Sequence, residues 1–443
     1  MHLVARRCRP RHGEHMTRVV DPGTGSATAA FVGGADQVLA PEQVTAFIAK
    51  SLGAADLDGR SVCVIVPDGT RTCPLPLLLG AVHAALHGRV SAMTALVALG
   101  THAAMPEQSL ADWLGYPLDH LQQRYPGLQV LNHRWQDPRT FVDLGTISAD
   151  RIAELSGGLL HTSVNVKINR AVAEHDVALV VGPVFPHEVV GFSGGNKYFF
   201  PGVAGQDIID LSHWLGALIT SASIIGTRGV TPVRALIDEA ARLIPSQRLA
   251  LCVVTQIGTG ALHAAAFGSP EQAWAAAADV AARTHVRYLD APVKRVLSLM
   301  PSRYSDLWTA AKGFYKLEPV VADGGEVILY APHITEIARM HPEINRIGYH
   351  CRDYFVRQWA EFKDLHWSVL AHSTHLRGAG TWDEATGEHC RVTVTLATGI
   401  PEDVVRSVNL NYADPALLDV AGLESDPGTF VVHEAGEVLF RLR

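Results

Sequence analysis

The sequence predicts an α/β protein: two α/β domains with mainly parallel sheets and an active site in the cleft between them. Three observations predict it. Short, almost wholly apolar runs recur along the chain, Ser61–Pro67 (SVCVIVP) being the first clear one. Segments with apolar residues at helical spacing lie between them. Clusters of polar, glycine-rich and ionisable residues stand just past the ends of the apolar runs. Runs that are apolar on both faces suit parallel strands covered by helices on either side. Alternation of such runs with helices makes a doubly wound sheet, and in these sheets ligands sit beyond the carboxyl ends of the strands.

Strands are expected at Ser61–Pro67, Ala92–Leu99, Gln129–Asn132, Asp176–Val181 and Arg248–Thr255. Helical patterns fall at Leu75–Leu86, Pro106–Leu114 and Pro232–Leu243. An alanine-rich helix, Pro270–Thr284, leads to a second α/β pattern. That pattern has strands at Val293–Met300, Glu326–Tyr330 and Arg391–Leu396, and helices near Asp306–Tyr315 and Tyr354–Phe362. The expected division is a disordered extension over residues 1–27, a domain over 28–280 and a second domain over 281–443. Met16 is the expected natural start, because the fifteen residues before it are basic and lack the apolar core of a signal peptide.

Composition bounds the function classes. The chain of 443 residues is 48% hydrophobic and 18% charged, enough to build full-size cores. A net charge of −7 argues against an electrostatic nucleic-acid binder. No run approaches the roughly 18–20 apolar residues needed to span a bilayer. Six cysteines are scattered without a CxxC pair, which reads as buried free thiols in a reducing cytoplasm.

The densest chemistry lies between Pro186 and His213. His187 is followed by Gly191-Phe192-Ser193-Gly194-Gly195-Asn196-Lys197, then Pro201-Gly202 and Gly205. Glycines let backbone N–H groups approach an anion, and a lysine after such a loop can pair with phosphate or act as a nucleophilic amine. The segment matches neither the phosphate-loop pattern GxxxxGK[ST] nor GxGxxG. Asp68-Gly69-Thr70-Arg71 follows one predicted strand, where Arg71 can clamp a carboxylate and Asp68 and Thr70 can bond ribose or phosphate. Gly100-Thr101-His102 follows another. His102 and His187 at the mouth of one sheet would make an acid/base pair. Read alone, His213 is a surface or core histidine, although neutral imidazole also suits nickel, copper or zinc. Lys312, read alone, is a solvated helix lysine.

Taken together, these motifs resemble the lactate racemase family of nickel-pincer nucleotide enzymes, in order and in spacing: Asp68-Gly-Thr-Arg71, Gly100-Thr-His102, Pro186-His187, Gly191-Phe-Ser-Gly-Gly-Asn-Lys197, Pro201-Gly202 and His213. The resemblance covers about residues 40 to 330. It implies a pyridinium-derived mononucleotide with two sulfur-bearing arms, held covalently on Lys197, and nickel bound by that cofactor and His213. It also implies a phosphate cradle at Ser193, Gly194 and Gly195, with Asp68 and Thr70 helping to hold the nucleotide. The implied partners are a small 2-hydroxy acid and the proteins that build the cofactor. The implied reaction inverts the hydroxyl-bearing carbon by moving a hydride rather than an acidic proton, with His102 and His187 as acid and base. Arg71 would bind the carboxylate, and Lys312, Thr309 and Trp308 would contribute from the second domain.

The chain departs from the family pattern at Thr309, where a glutamine is common, and at Asn132-His133-Arg134, where Asn-His-Asp is common. Those departures leave open a larger hydroxy acid or an aldonic acid as substrate. His372 and His375 have metal-like spacing if helical, but the glycines beside them predict a loop. Two other function classes stand beside the racemase or epimerase: a metal-assisted lyase or hydrolase using the same histidines without the cofactor, and a non-catalytic cofactor-binding protein. A pure binder has no use for a second proton-transfer histidine.

Overall fold

The β-branched, apolar run at Ser61–Pro67 forms a strand buried on both faces, and the rest of the first sheet is built around it. The computed structural model describes residues 28–443; the expected extension over 1–27 lies outside them. The first sheet has seven strands. In chain order they are β1 (Ala30–Gly33), β2 (Ser61–Pro67), β3 (Ala92–Ala98), β4 (Leu128–Asn132), β5 (Val177–Pro183), β6 (Gln247–Thr255) and β7 (Leu262–Gly268). Their spatial order is β1-β7-β6-β5-β2-β3-β4. The run from β6 to β4 is parallel, while β7 pairs antiparallel with both β6 and β1. The strand order turns at β2 and β5, which lie side by side although β3 and β4 intervene in the chain. Their carboxyl ends form the crevice where such sheets take ligands.

The second sheet is wholly parallel. Its strands are β8 (Val293–Leu299), β9 (Val321–Ala331), β10 (Val392–Thr398), β11 (Asn411–Tyr412) and β12 (Thr429–Val432), in the order β11-β10-β9-β8-β12. The helix Pro270–Thr284 starts with a capping box, Ser269 accepting from the Gln272 N–H, and buries Trp274, Ala277 and Ala281. One apolar core runs from the face of the first sheet covered by the helices Gln206–Ile219 and Pro270–Thr284 into the second sheet, joining Phe199, Trp214, Phe314 and Phe355. Among the described residues, no helix is long and apolar enough to cross a membrane.

The parallel α/β class and the central strands match the sequence expectation. The antiparallel strands β1, at the sheet edge, and β7, beside it, were not expected; β7 (LHAAAFG) carries too few β-branched residues to declare itself. The helix expected over Asp306–Tyr315 is two short helices, Leu307–Ala310 and Lys312–Tyr315. That expected near Tyr354–Phe362 is likewise divided, into Arg352–Arg357 and Trp359–Phe362. The loop expected around His372 and His375 is in fact the last turn of the helix Trp367–His375, and the glycines begin only after it. This helix lies along the helix Gln206–Ile219. Asp210 ties the two, accepting the Ser368 N–H at 2.9 Å and facing His366 Nδ1 at 3.2 Å.

Candidate active site

The loops after β2, β3 and β5 converge on a cavity of about 140 Å³. Its wall includes Asp68, Arg71, His102, His187, Lys197 and His213, with Trp308, Lys312, Tyr315, His372 and His375 facing them. Both sheet-bearing halves of the chain therefore line it.

After β2 the chain turns sharply. Asp68 Oδ1 accepts from the Thr70 N–H at 3.1 Å and from Thr70 Oγ1 at 2.6 Å. Its other oxygen lies 2.5 Å from His102 Nδ1. Burial alone would favour the neutral acid, but His102 and Arg71 outweigh it and hold the Asp68 carboxyl below the usual range. Asp68 and Thr70, expected at the nucleotide, thus form a closed turn that orients His102. With Nδ1–H donated to Asp68, the His102 lone pair is on Nε2. The His102 turn is anchored from below: Gly100 N–H donates to Gly202 O at 2.9 Å, and Trp135 Nε1 donates to His102 O at 3.0 Å. Asn132 forms two bonds to the Met105 backbone, at 3.1 and 2.9 Å, so it braces the same loop.

Past β5, Pro186–His187 pairs with Gly191–Phe192 in a two-residue hairpin. Gly191 has φ +89°, and a Cβ there would come within 2.7 Å of Thr227 O, so glycine is required. His187 is buried. Its Nδ1 accepts the Val189 N–H at 3.2 Å, with Glu188 Oε2 3.3 Å away. The neutral ring therefore carries its proton on Nε2, the opposite tautomer to His102. Burial pushes the His187 imidazolium well below its usual range, against the pull of Glu188.

The glycine-rich loop is fixed from beneath. Buried Arg234 donates to Gly194 O at 3.0 Å and to Phe192 O at 2.5 Å, and stacks 4.4 Å over Trp274. Asn196 points away from the cavity, donating to Asp238 and Glu271 and accepting from Arg248. That leaves the next residue, Lys197, on the wall. Burial, with Arg71 nearby, brings its amine down to about 7, so a large share is neutral and nucleophilic near neutral pH. Ser193 and Gly194 also line the cavity, but Ser193 is engaged within the loop. Its N–H donates to Phe185 O, and its Oγ accepts from Phe185 N at 3.0 Å and donates to Pro183 O at 3.2 Å. The Gly195 N–H faces the buried Cys252 thiol. A Cβ on Gly194 would meet Val184 at 2.5 Å, and one on Gly195 would meet Pro270 O at 2.9 Å, so close packing also demands these glycines.

His213 donates Nδ1–H to Ile209 O, 2.7 Å away one helical turn back. Nε2 is left as the atom free to bind a metal, and burial lowers the pKa of the ring. This donor chemistry fits a nickel-bearing cofactor on Lys197: a neutral imidazole and a neutral amine in one cavity, with Arg71 beside them.

From the second half, Lys312 reaches the cavity while donating to Thr309 O at 3.2 Å, and burial brings its amine to about 8. Trp308 stacks on His372 (3.6 Å, 5°) and on His341 (4.2 Å, 25°). Thr309 stands off the wall; its hydroxyl is 2.7 Å from Asp306 Oδ1, which caps that short helix. Three further groups were not foreseen as part of the site. Glu188 lies among His187, His375 and Lys312, which hold its carboxyl ionised against burial. His375 bonds Ser221 Oγ at 2.7 Å. His372 donates Nε2–H to Trp308 O at 2.9 Å, and its buried Nδ1 has no partner. For Glu188 the available signal was a carboxylate adjoining a strand-end histidine. For His372 and His375 it was the i, i+3 spacing, which needed the helix to be recognised.

A cavity at the switch point of a parallel sheet, walled by tautomer-fixed histidines and a near-neutral lysine, defines an α/β protein built to hold a small molecule. Comparison with known proteins makes this specific. A family model described as the lactate racemase N-terminal domain matches residues 46–226. A curated lactate racemase from Thermoanaerobacterium thermosaccharolyticum is 27% identical over 158 residues, 35% of this chain and 32% of the racemase. That match spans about a third of the racemase's length. A solved structure of a protein from Thermotoga maritima is 30% identical and superposes with a TM-score of 0.84, covering 93% of this chain and 100% of that one. The lactate racemase apoprotein from T. thermosaccharolyticum shares the fold, with a TM-score of 0.66 at 18% identity over 90% of this chain and 93% of that one. Residues 46–226 of this chain are thus those of a lactate racemase N-terminal domain, and the chain has the fold of the lactate racemase apoprotein.

Proposed function

We propose that this protein is a racemase or epimerase that inverts the hydroxyl-bearing carbon of a 2-hydroxy acid. In this reading Lys197 holds a nickel-pincer nucleotide covalently and His213 Nε2 is a nickel ligand; the cofactor, when bound, accepts and returns the hydride. The observation that carries the reading is a pair of histidines in one cavity wall, each with a carboxylate beside its Nδ1. His102 presents a bare Nε2 that can take the hydroxyl proton as the carbonyl forms. His187, in the same wall, gives a proton back from its doubly protonated form, which the Glu188 carboxylate beside Nδ1 favours, and so returns to the neutral ring. After one inversion the two rings have exchanged roles, so each serves one stereoisomer. Asp68 keeps His102 oriented, and stabilises it while it carries the extra proton; Glu188, 3.3 Å from His187 Nδ1, does the same for His187.

Arg71 supplies a bidentate donor for the substrate carboxylate, and Lys312 a second cation. Their cavity also offers His372, Trp308 and Tyr315 to whatever the acid carries beyond its hydroxyl-bearing carbon. Enclosure keeps water from the flat keto acid while it turns. The test is intact mass and metal analysis of protein made alongside the cofactor-building enzymes. A nickel-dependent adduct that disappears in Lys197→Ala is expected. Unmodified, nickel-free protein that still inverts its substrate would overturn the reading.

A further inference from the structure

Away from the cavity, the hairpin Gly380–Asp383/Gly387–Cys390 holds a second group of reactive side chains. Cys351, Glu388 and Cys390 bring a sulfur, a carboxylate oxygen and a sulfur within 4.8 Å of one another. The register explains how the sulfurs meet. Gly380 lies directly opposite Cys390 across the hairpin. A Cβ on Gly380 would come within 2.9 Å of Cys351 Cβ and 3.2 Å of its Sγ. The Cys351 side chain therefore fills the slot that a cross-strand partner of Cys390 would occupy, and cross-strand neighbours are close enough for their side chains to touch. Cys351 is fully buried at the start of the helix Arg352–Arg357, while Cys390 is partly exposed.

We propose that Cys351 and Cys390 form a dithiol site whose substrate is a low-molecular-weight disulfide, and that it closes to an intramolecular disulfide. The partly exposed Cys390 thiolate attacks one sulfur of R–S–S–R, forming a mixed disulfide and releasing RS⁻. Cys351 then loses its proton and attacks the Cys390 sulfur, releasing a second RS⁻. Two protein thiols are oxidised and one small disulfide is reduced. The surroundings favour this order of events. A hydrogen bond from Cys351, with Arg377 nearby, lowers the Cys390 thiol, while that same hydrogen bond and burial raise the Cys351 thiol. The same surroundings weigh against a metal. Glu388 already accepts the Cys351 N–H, accepts from Asn409 Nδ2 at 2.8 Å, faces His350 Nδ1 at 3.1 Å and lies 3.6 Å from Arg377.

The site also adjoins the cavity wall. The N–H of His350, the residue before Cys351, donates at 2.9 Å to Ser373 Oγ, on the helix that carries His372 and His375. Closing the pair would staple this buttress to the hairpin.

The experiment is to treat the full-length protein with oxidised glutathione, block the remaining thiols by alkylation and map the peptides. A Cys351–Cys390 cross-link is expected, with the mass of two hydrogens lost and both regained after dithiothreitol, while buried Cys63, Cys73 and Cys252 stay reduced. Cys351→Ser should trap glutathione on Cys390; Cys390→Ser should leave Cys351 unmodified. The wild-type map needs no variant to fold. Alkylation of both cysteines after oxidation would overturn the proposal. So would one zinc ion per chain that both serine variants lose and that blocks the cross-link, because the pair would then be a metal site.

Discussion

On the wall contributed by the first sheet, each histidine ring is tied by a bond that fixes where its proton sits: His102 to Asp68, His187 to the Val189 N–H, His213 to Ile209 O. The wall contributed by residues beyond 300 adds stacking to its bonds, which run from His372 to Trp308 O and from His375 to Ser221 Oγ. Trp308 lies flat on His372, the His372 Nδ1 has no partner, and Lys312 donates to one backbone carbonyl with its ammonium over the Tyr304 ring. The contrast has a chemical meaning. Under the proposed reaction, proton transfer requires defined proton positions before the substrate arrives, and the preset wall would meet that need. Recognition of a polar ligand requires groups still open to bonding, and the second wall supplies them.

The strongest way to break this division is to remove one preset ring. His102→Ala and His187→Ala should each lower inversion by at least ~10³-fold, within the range for a general acid or base, while the Lys197 adduct persists by intact mass. Full inversion in either variant would refute the two-histidine assignment. Asp68→Asn asks whether presetting itself matters. The amide can donate to His102 Nδ1 and so favour a proton on Nε2, leaving two donors and no base. A fall in kcat of roughly 10²-fold with KM little changed is expected; a rise in KM alone would mean that Asp68 binds rather than orients.

On the second wall the signature should reverse. Lys312→Ala should raise KM by ~10- to 100-fold, the loss of a hydrogen bond to a charged group, with a smaller effect on kcat. Equal losses in kcat and kcat/KM would place Lys312 in the transition state instead.

The two walls also differed in how far the sequence revealed them. His102, His187 and Lys197 were legible because each lies at or just beyond a strand end, in motifs whose glycines are needed locally; His213, within the helix Gln206–Ile219, stood out only through the family resemblance. Gly191 and Gly194 would clash if they carried a Cβ. The core strands were legible for the same local reason, being apolar on both faces. His372 and His375 were not, because their place depends on a helix–helix contact anchored by Asp210, more than 150 residues away in the chain. Asp68 was recognised as important but assigned to the nucleotide; its contact with His102 joins two loops that only the β2–β3 pairing brings together. Ser193 reads as a phosphate ligand by composition, yet its N–H and Oγ close the turn from Pro183 to Phe185.

The preset wall also has a pH signature. The Lys197 amine is lowered to about 7 in the folded apoprotein, against an ordinary lysine value in the unfolded chain. Between those values the unfolded chain binds more protons at this position, so its contribution to stability rises with pH and is lost as pH falls toward 7. Denaturant midpoints of apoprotein measured from pH 7 to 9 should therefore climb more steeply for wild type than for Lys197→Met, which keeps the stem and removes the amine. Identical slopes would show that the amine is not held in the cavity as described.

Thr309 gives the smallest effect and the sharpest test of where the second wall ends. It occupies a position expected to touch substrate, yet its hydroxyl donates to Asp306 Oδ1 at 2.7 Å and its side chain stands off the cavity. Thr309→Val keeps the volume and removes that donor. If Thr309 serves only the turn that presents Lys312, stability should fall by about 0.5–1.5 kcal/mol, the net value of one such bond, with KM and kcat within about twofold of wild type. A rise in KM comparable to that of Lys312→Ala would extend the binding wall to Thr309 and show that the substrate-bound cavity is rearranged from the one described. A denaturation curve and a single saturation curve on the same preparation separate the two outcomes.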